Sequence, residues 1–195
     1  MKPLSKLLLK ASFAGTFAET MLVPLYTSLT NRFGGGILDA GIGYALFSII
    51  TGLFIMLIGR TKWFERHTNS MVFWGFTVAG LCDLAYLLVR NKWEFFLVQC
   101  VLGLSVGMLN PAWDTLFSDD TSEEESTGKR WSFWTGGVSF VTGTSALTGA
   151  LIVTFLGFNS LFVLMAVCDL LAIYYSFKVM VEADKEVVTL EGVTA

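Results

Sequence analysis

Long stretches with few charges dominate this chain, and they limit what it can fold into more than any other feature. A helix needs roughly 20 mostly apolar residues to cross the hydrocarbon core of a bilayer, which offers its backbone no water to bond with. The stretches place membrane-spanning helices near residues 7–29, 40–59, 70–90, 93–115, 132–156 and 159–179. A water-soluble fold is disfavoured by the same pattern. Of 195 residues, 54% are hydrophobic and only 15% charged, whereas a soluble domain uses about a quarter of its residues as charges. Barrel strands would read as alternating segments of about ten residues, and none stand out. The expected fold is an all-α membrane protein, one six-helix transmembrane domain over 1–195 with a cytoplasmic tail at 180–195.

Orientation follows from the basic residues, because those in short loops stay on the cytoplasmic side. With the N-terminus inside, ten of the thirteen fall in inner segments: Lys2, Lys6, Lys10, Arg60, Lys62, Arg66, Lys129, Arg130, Lys178 and Lys185. Only Arg32, Arg90 and Lys92 fall outside. Both termini are therefore expected in the cytoplasm, and the protein in the plasma (inner) membrane. The N-terminal lysines also raise a signal peptide, but the apolar run continues through Tyr26 without a convincing cleavage site. Cys82, Cys100 and Cys168 all lie within apolar runs, which points to buried thiols and not to a disulfide framework. His67, the sole histidine, has no partner for metal binding or catalysis, so no metal, no cofactor and no enzymatic activity is expected. The net charge of −3 gives no basic footprint for nucleic acid.

An internal echo relates the two halves. Cys82-Asp83-Leu84 in the third span returns as Cys168-Asp169-Leu170 in the sixth, and Pro24 late in the first span is matched by Pro111 late in the fourth. Three spans followed by three of opposite orientation form the inverted repeat found within each half of many transporters.

On these features the chain resembles one half of a major facilitator superfamily transporter, most like the N-terminal half. The second span runs through Gly41-Ile42-Gly43-Tyr44 and Gly52 to Gly59, then into the basic inner loop Arg60-Thr61-Lys62-Trp63-Phe64-Glu65-Arg66. That is the position of the family's glycine, aspartate and basic-residue signature. Gly59 and the basic residues match it, but the aspartate is missing and Glu65 is out of register. The fourth span carries Gly103, Gly107 and Asn110-Pro111-Ala112, with Gln99 where the family usually has a membrane arginine. The fifth is rich in glycine but lacks the antiporter glycine–proline pair. The resemblance implies a six-span bundle with a 3+3 inverted repeat, half the usual twelve spans, and secondary transport of a small solute.

Polar residues within the spans then supply the candidate site. Ser12, Thr16, Glu19 and Tyr26 share a face of the first span, and Gln99, Gly103, Gly107, Asn110 and Asp114 share one of the fourth. In the resembled family these two spans line the central cavity. An ionisable group in hydrocarbon costs several kcal/mol (about 2.5–3.5 on insertion scales), so it normally faces a cavity or a partner. Glu19 is the expected substrate- or proton-binding carboxylate, helped by Thr16, Tyr26, Gln99 and Asn110; the plainer reading is a protonated glutamate bonded to a neighbouring helix. Asp114, near Arg60, Lys62 and Arg66, is expected to act as a gate or charge relay. Asp83 and Asp169 are read as interhelical structural carboxyls, with a proton relay as the sharper alternative. No lysine or arginine lies deep in a span, apart from Lys10 near an inner end, so a cation, a proton or a polar neutral solute fits better than an anion.

Small residues form two stripes: Gly41, Ala45, Ser48, Gly52 and Gly59 on the second span, and Ser132, Gly136, Ser139, Gly143, Ala146 and Ala150 on the fifth. Such stripes let helices approach closely. The resemblance places these spans against the other half of the transporter, so a homodimer joined through Ser48, Gly52, Gly136, Ser139 and Gly143 is expected. Tight packing within one bundle explains the same stripes. The acidic run Asp119, Asp120, Glu123, Glu124 and Glu125 lacks the spaced ligands of a calcium loop and reads as solvated. A water channel would need a second Asn-Pro-Ala, a rhomboid-like protease a later histidine, and an ATP-driven pump a nucleotide loop. The expected partners are the lipid bilayer, a second copy or a complementary half, and a small-molecule solute. The rival function is a non-transporting accessory or scaffold subunit that needs a different partner half.

Overall fold

Where the helices break is set by local chemistry. Pro3 opens α1 (Pro3–Leu22) at a position whose N–H would have no helical partner anyway. Pro24 lacks a backbone donor, and α1 gives way there to a short 3-10 turn, Val23–Leu25, before α2 (Tyr26–Asn31). The stretch read from sequence as one span at 7–29 is thus two helices joined by a tightened turn.

The fold continues with α3 (Ile37–Ile58), α4 (Lys62–Ala85), α5 (Lys92–Asp119), α6 (Thr127–Leu156) and α7 (Phe158–Val193). Thr61 caps α4 by accepting from Phe64 N at 3.2 Å. Asn91 caps α5, accepting from Trp93 N and Glu94 N at 3.0 and 3.1 Å. Only Gly157 separates α6 from α7. Its φ of +82° is open to glycine at little cost, and its N–H closes on the carbonyls of Ile152 and Val153.

The computed structural model describes residues 3–119 and 127–193. Lys2 and the acidic residues Asp120, Glu123, Glu124 and Glu125 lie outside the described residues. No strand occurs among those described. Four helices are long and apolar enough to cross a membrane: α3, α5, most of α6, and α7 as far as Ala183. Lys6, Lys10 and Glu19 in α1, and the polar first half and Asp83 of α4, leave those two outside that set. Helix α7 also continues past residue 179, where a tail was expected, because no glycine or proline interrupts it before Gly192.

Packing links the helices in a fixed order. α3 lies on α5, α5 on α4, α4 on α7, α7 on α1, and α1 on α6. The apolar core has two parts: one joins Leu8, Val72, Phe76, Trp113, Phe117 and Val179, the other Met21, Ala79, Tyr86, Phe95, Leu102 and Phe162. The α3–α5 contact is close at two glycines. A Cβ at Gly103 would stand 2.7 Å from the Phe47 carbonyl oxygen, and one at Gly107 would stand 3.0 Å from that of Thr51. Thr51 Oγ1 donates to the Gly103 carbonyl at 3.1 Å across the gap these glycines leave.

Candidate functional site

A crevice of about 280 Å³ opens among α1, α4, α5 and α6. From α1 it takes Ser12, Gly15, Thr16 and Glu19, and from α5 it takes Leu109, Asn110, Trp113 and Asp114. Phe76 of α4 and Trp134 of α6 complete the wall. Gly15 lets the Phe76 ring press against α1, since a Cβ there would collide with it. Further aromatic rings, Phe13 and Phe117, back the two lining tryptophans. Trp113 and Trp134 lie 4.2 Å apart by ring centroid, Phe13 stacks on Trp134 at 5.6 Å, and Phe117 stacks on Trp113 at 4.5 Å. Asn110 and Asp114 are exposed, so the crevice is open at that end.

The Glu19 carboxyl is tied by neither a hydrogen bond nor an ion pair to any other described side chain. Its charged neighbour is Asp83, of the same sign. Thr20, beside it, bonds instead with Ser145 of α6 and with the Thr16 carbonyl. A carboxyl left open to a small polar crevice can take a proton or a cation, and here it has no built-in counter-charge to displace.

Not every residue read from the sequence reaches this crevice. Tyr26 and Gln99 lie together outside its lining, and Gln99 is fully buried. Neither amide atom of Gln99 makes a well-formed hydrogen bond. Tyr26 packs at 6.1–6.2 Å against Phe95 and Tyr44. Arg60 and Arg66 are exposed, and no ion pair among the described residues joins either to Asp114. The aromatic wall is faint in the sequence. Its one signal is Trp113, Trp131 and Trp134 falling close together on the two sides of a loop.

The family model for the Major Facilitator Superfamily matches residues 8–193. The chain belongs to that superfamily. The in meso crystal structure of the POT family transporter PepTSo shares its fold, with a TM-score of 0.77 over 91% of the chain at 12% sequence identity. The chain spans 37% of that transporter's length. No curated protein matches it.

In this major facilitator chain the small-residue stripes look outward. Ser48, Gly136, Ser139 and Gly143 are exposed, Gly52 is partly so, and a Cβ at Gly52, Gly136 or Gly143 would meet nothing within 4 Å. Beside them α3 shows Met56 and Leu57 and α6 shows Phe140, all more than half exposed. Packing inside the bundle is therefore not what these three glycines serve. Gly149 differs: a Cβ there would land on the Met21 carbonyl of α1.

Arg130, counted from sequence as a loop charge, is 3% exposed. It donates to the Phe117 carbonyl near the end of α5 and to Ser5 Oγ of α1 at 3.0 Å, and its guanidinium stands 4.4 Å from the Phe117 ring centre. It thus ties together the ends of α1, α5 and α6 beside the aromatic wall. Hydrogen bonds to a charged group contribute about 1.5–3 kcal/mol each and a cation–π contact about 0.5–2. Arg130→Ala should lower stability by about 3 kcal/mol or more, read as a drop in thermal midpoint in detergent, and Arg130→Lys should recover only part of it.

Proposed function

We propose that this chain is a secondary-transporter half that moves a cation or a polar neutral solute through the crevice, with proton or cation coupling at Glu19. The observation that carries the reading is the unpaired Glu19 carboxyl on an open crevice with polar and aromatic walls, within a major facilitator fold. Six spans in a 3+3 inverted repeat fit the packing. Exchanging α1 with α5, α3 with α6 and α4 with α7 carries the principal helix contacts onto one another. The exposed faces of α3 and α6 suit a second half, supplied by another copy or by a complementary chain. Both termini lie in the cytoplasm and the crevice opens toward it at the Asp114 end. The same outward faces would also serve an accessory subunit docked on a different half, and transport separates the two readings.

The test is uptake by the purified chain in proteoliposomes under an imposed proton gradient. A panel of small organic cations, neutral solutes and anions is offered. Gradient-dependent accumulation of a cation or neutral solute, with no anion taken up, is expected. Accumulation of anions alone would remove the Glu19 assignment, and no uptake by an assembled oligomer would leave the accessory reading.

A further inference from the structure

Asp83 and Asp169, the aspartates of the repeated Cys-Asp-Leu, bring their carboxyls within hydrogen-bonding reach of each other between α4 and α7. Asp83 is 2% exposed and Asp169 1%. Gly80, one turn before Asp83, allows this approach: a Cβ there would stand 3.0 Å from Asp169 Cβ. Asp83 Oδ2 and both carboxyl oxygens of Asp169 find no protein donor.

The groups felt at the pair are Glu19 from α1, Cys82 from α4 and Cys168 from α7, with Tyr26 from α2 and Tyr86 acting on Asp83. α5 contributes no charge to it. No lysine, arginine or histidine among the described residues pairs with either aspartate. An ionised carboxylate is acceptor-only, so two carboxyl oxygens can be joined only by a hydrogen that one of them keeps. Like charges at such a separation, in an apolar interior and without a cation, do not both persist.

We propose that Asp83 and Asp169 form a proton-binding site, separate from the crevice, whose hydrogen ties the first three-helix segment to the second. The site has its own surroundings. A groove of about 300 Å³, lined by Asp169, Thr77, Gly80 and otherwise almost wholly apolar residues, runs between α4 and α7 on the side where Leu81 and Leu170 are exposed. None of its lining residues is shared with the crevice. Protonation here sets how firmly α4 holds α7, and the charge on Asp83 is felt at Glu19 as well.

Infrared spectroscopy of the reconstituted chain at neutral pH tests this, in a Glu19→Gln background with Asp114→Asn as a further control. A protonated-carboxyl C=O band is expected that shifts when aspartate is ¹³C-labelled at its side-chain carboxyl and disappears in Asp83→Asn/Asp169→Asn. If the double variant does not fold, the labelled spectrum of the background protein still decides the matter. A background protein without such a band, a band unmoved by the label, or one that survives in the double variant would overturn the site.

Discussion

Glu19→Gln should lower proton-gradient-driven uptake by more than about tenfold and flatten its dependence on pH. Glutamine keeps the size and shape of the side chain and its capacity to hydrogen-bond in the crevice, but it can neither bind a proton nor carry the charge that holds a cation. A charge-assisted contact is worth about 1.5–3 kcal/mol, and each 1.4 kcal/mol is a factor of ten in affinity. Thr16 and Asn110, which stay in place on the crevice wall, would still hold a neutral part of the solute. A glutamate kept protonated for packing behaves differently, because glutamine would replace it with little loss. Uptake and pH profile both unchanged in Glu19→Gln would therefore refute the coupling role outright.

The second large effect concerns assembly. Gly52→Trp and Gly143→Trp should each abolish association with a second half while leaving the fold of the chain intact. Both positions meet open space, so an indole there displaces nothing within the bundle. A surface change of this kind costs within about 0.5 kcal/mol of stability, but it holds two helix faces apart where small residues would let them touch. Gly149→Trp is the contrasting case, since its Cβ alone would strike the α1 backbone at Met21. That variant should unfold or fail to express. Native mass spectrometry in nanodiscs, with thermal unfolding beside it, distinguishes the two classes. Dimer and transport both retained in Gly52→Trp and Gly143→Trp would refute the interface.

Periodicity made clear which residues share a helix face, but it could not reveal what covers that face. On α5 the spacing groups Gln99, Gly103, Gly107, Asn110 and Asp114 together. In the folded chain α3 lies on Gly103 and Gly107, Gln99 is buried beside Tyr26, and only Asn110 and Asp114 are left at the crevice. The apolar runs made the all-helical character legible. The 3-10 turn at Pro24 was not, because a proline signals a break without specifying its geometry. The burial of Arg130 was not legible for a related reason: a count of basic residues on each side of the membrane does not register it. The outward direction of the glycine stripes followed from the family resemblance and not from their spacing, since small residues permit close approach equally well to a helix of the same bundle or of another.

Synthesis from the N-terminus meets an awkward order of events. On the six-span reading, α1 and α4 are the two spans least able to enter lipid unaided. Their principal partners, α5 for α4 and α7 for both, emerge from the ribosome later. Until then Glu19 and Asp83 have no protein cover from those helices, and a polar side chain facing lipid weakens retention of its span in the bilayer. On that reading α1 and α4, unlike the apolar α3 between them, must be sheltered by the insertion machinery, or rest at the interface, until α5 and α7 arrive to draw them in. Membrane integration is then completed from the C-terminal side, and a substitution that weakens α7 would show its first defect as lost insertion of α1 and α4.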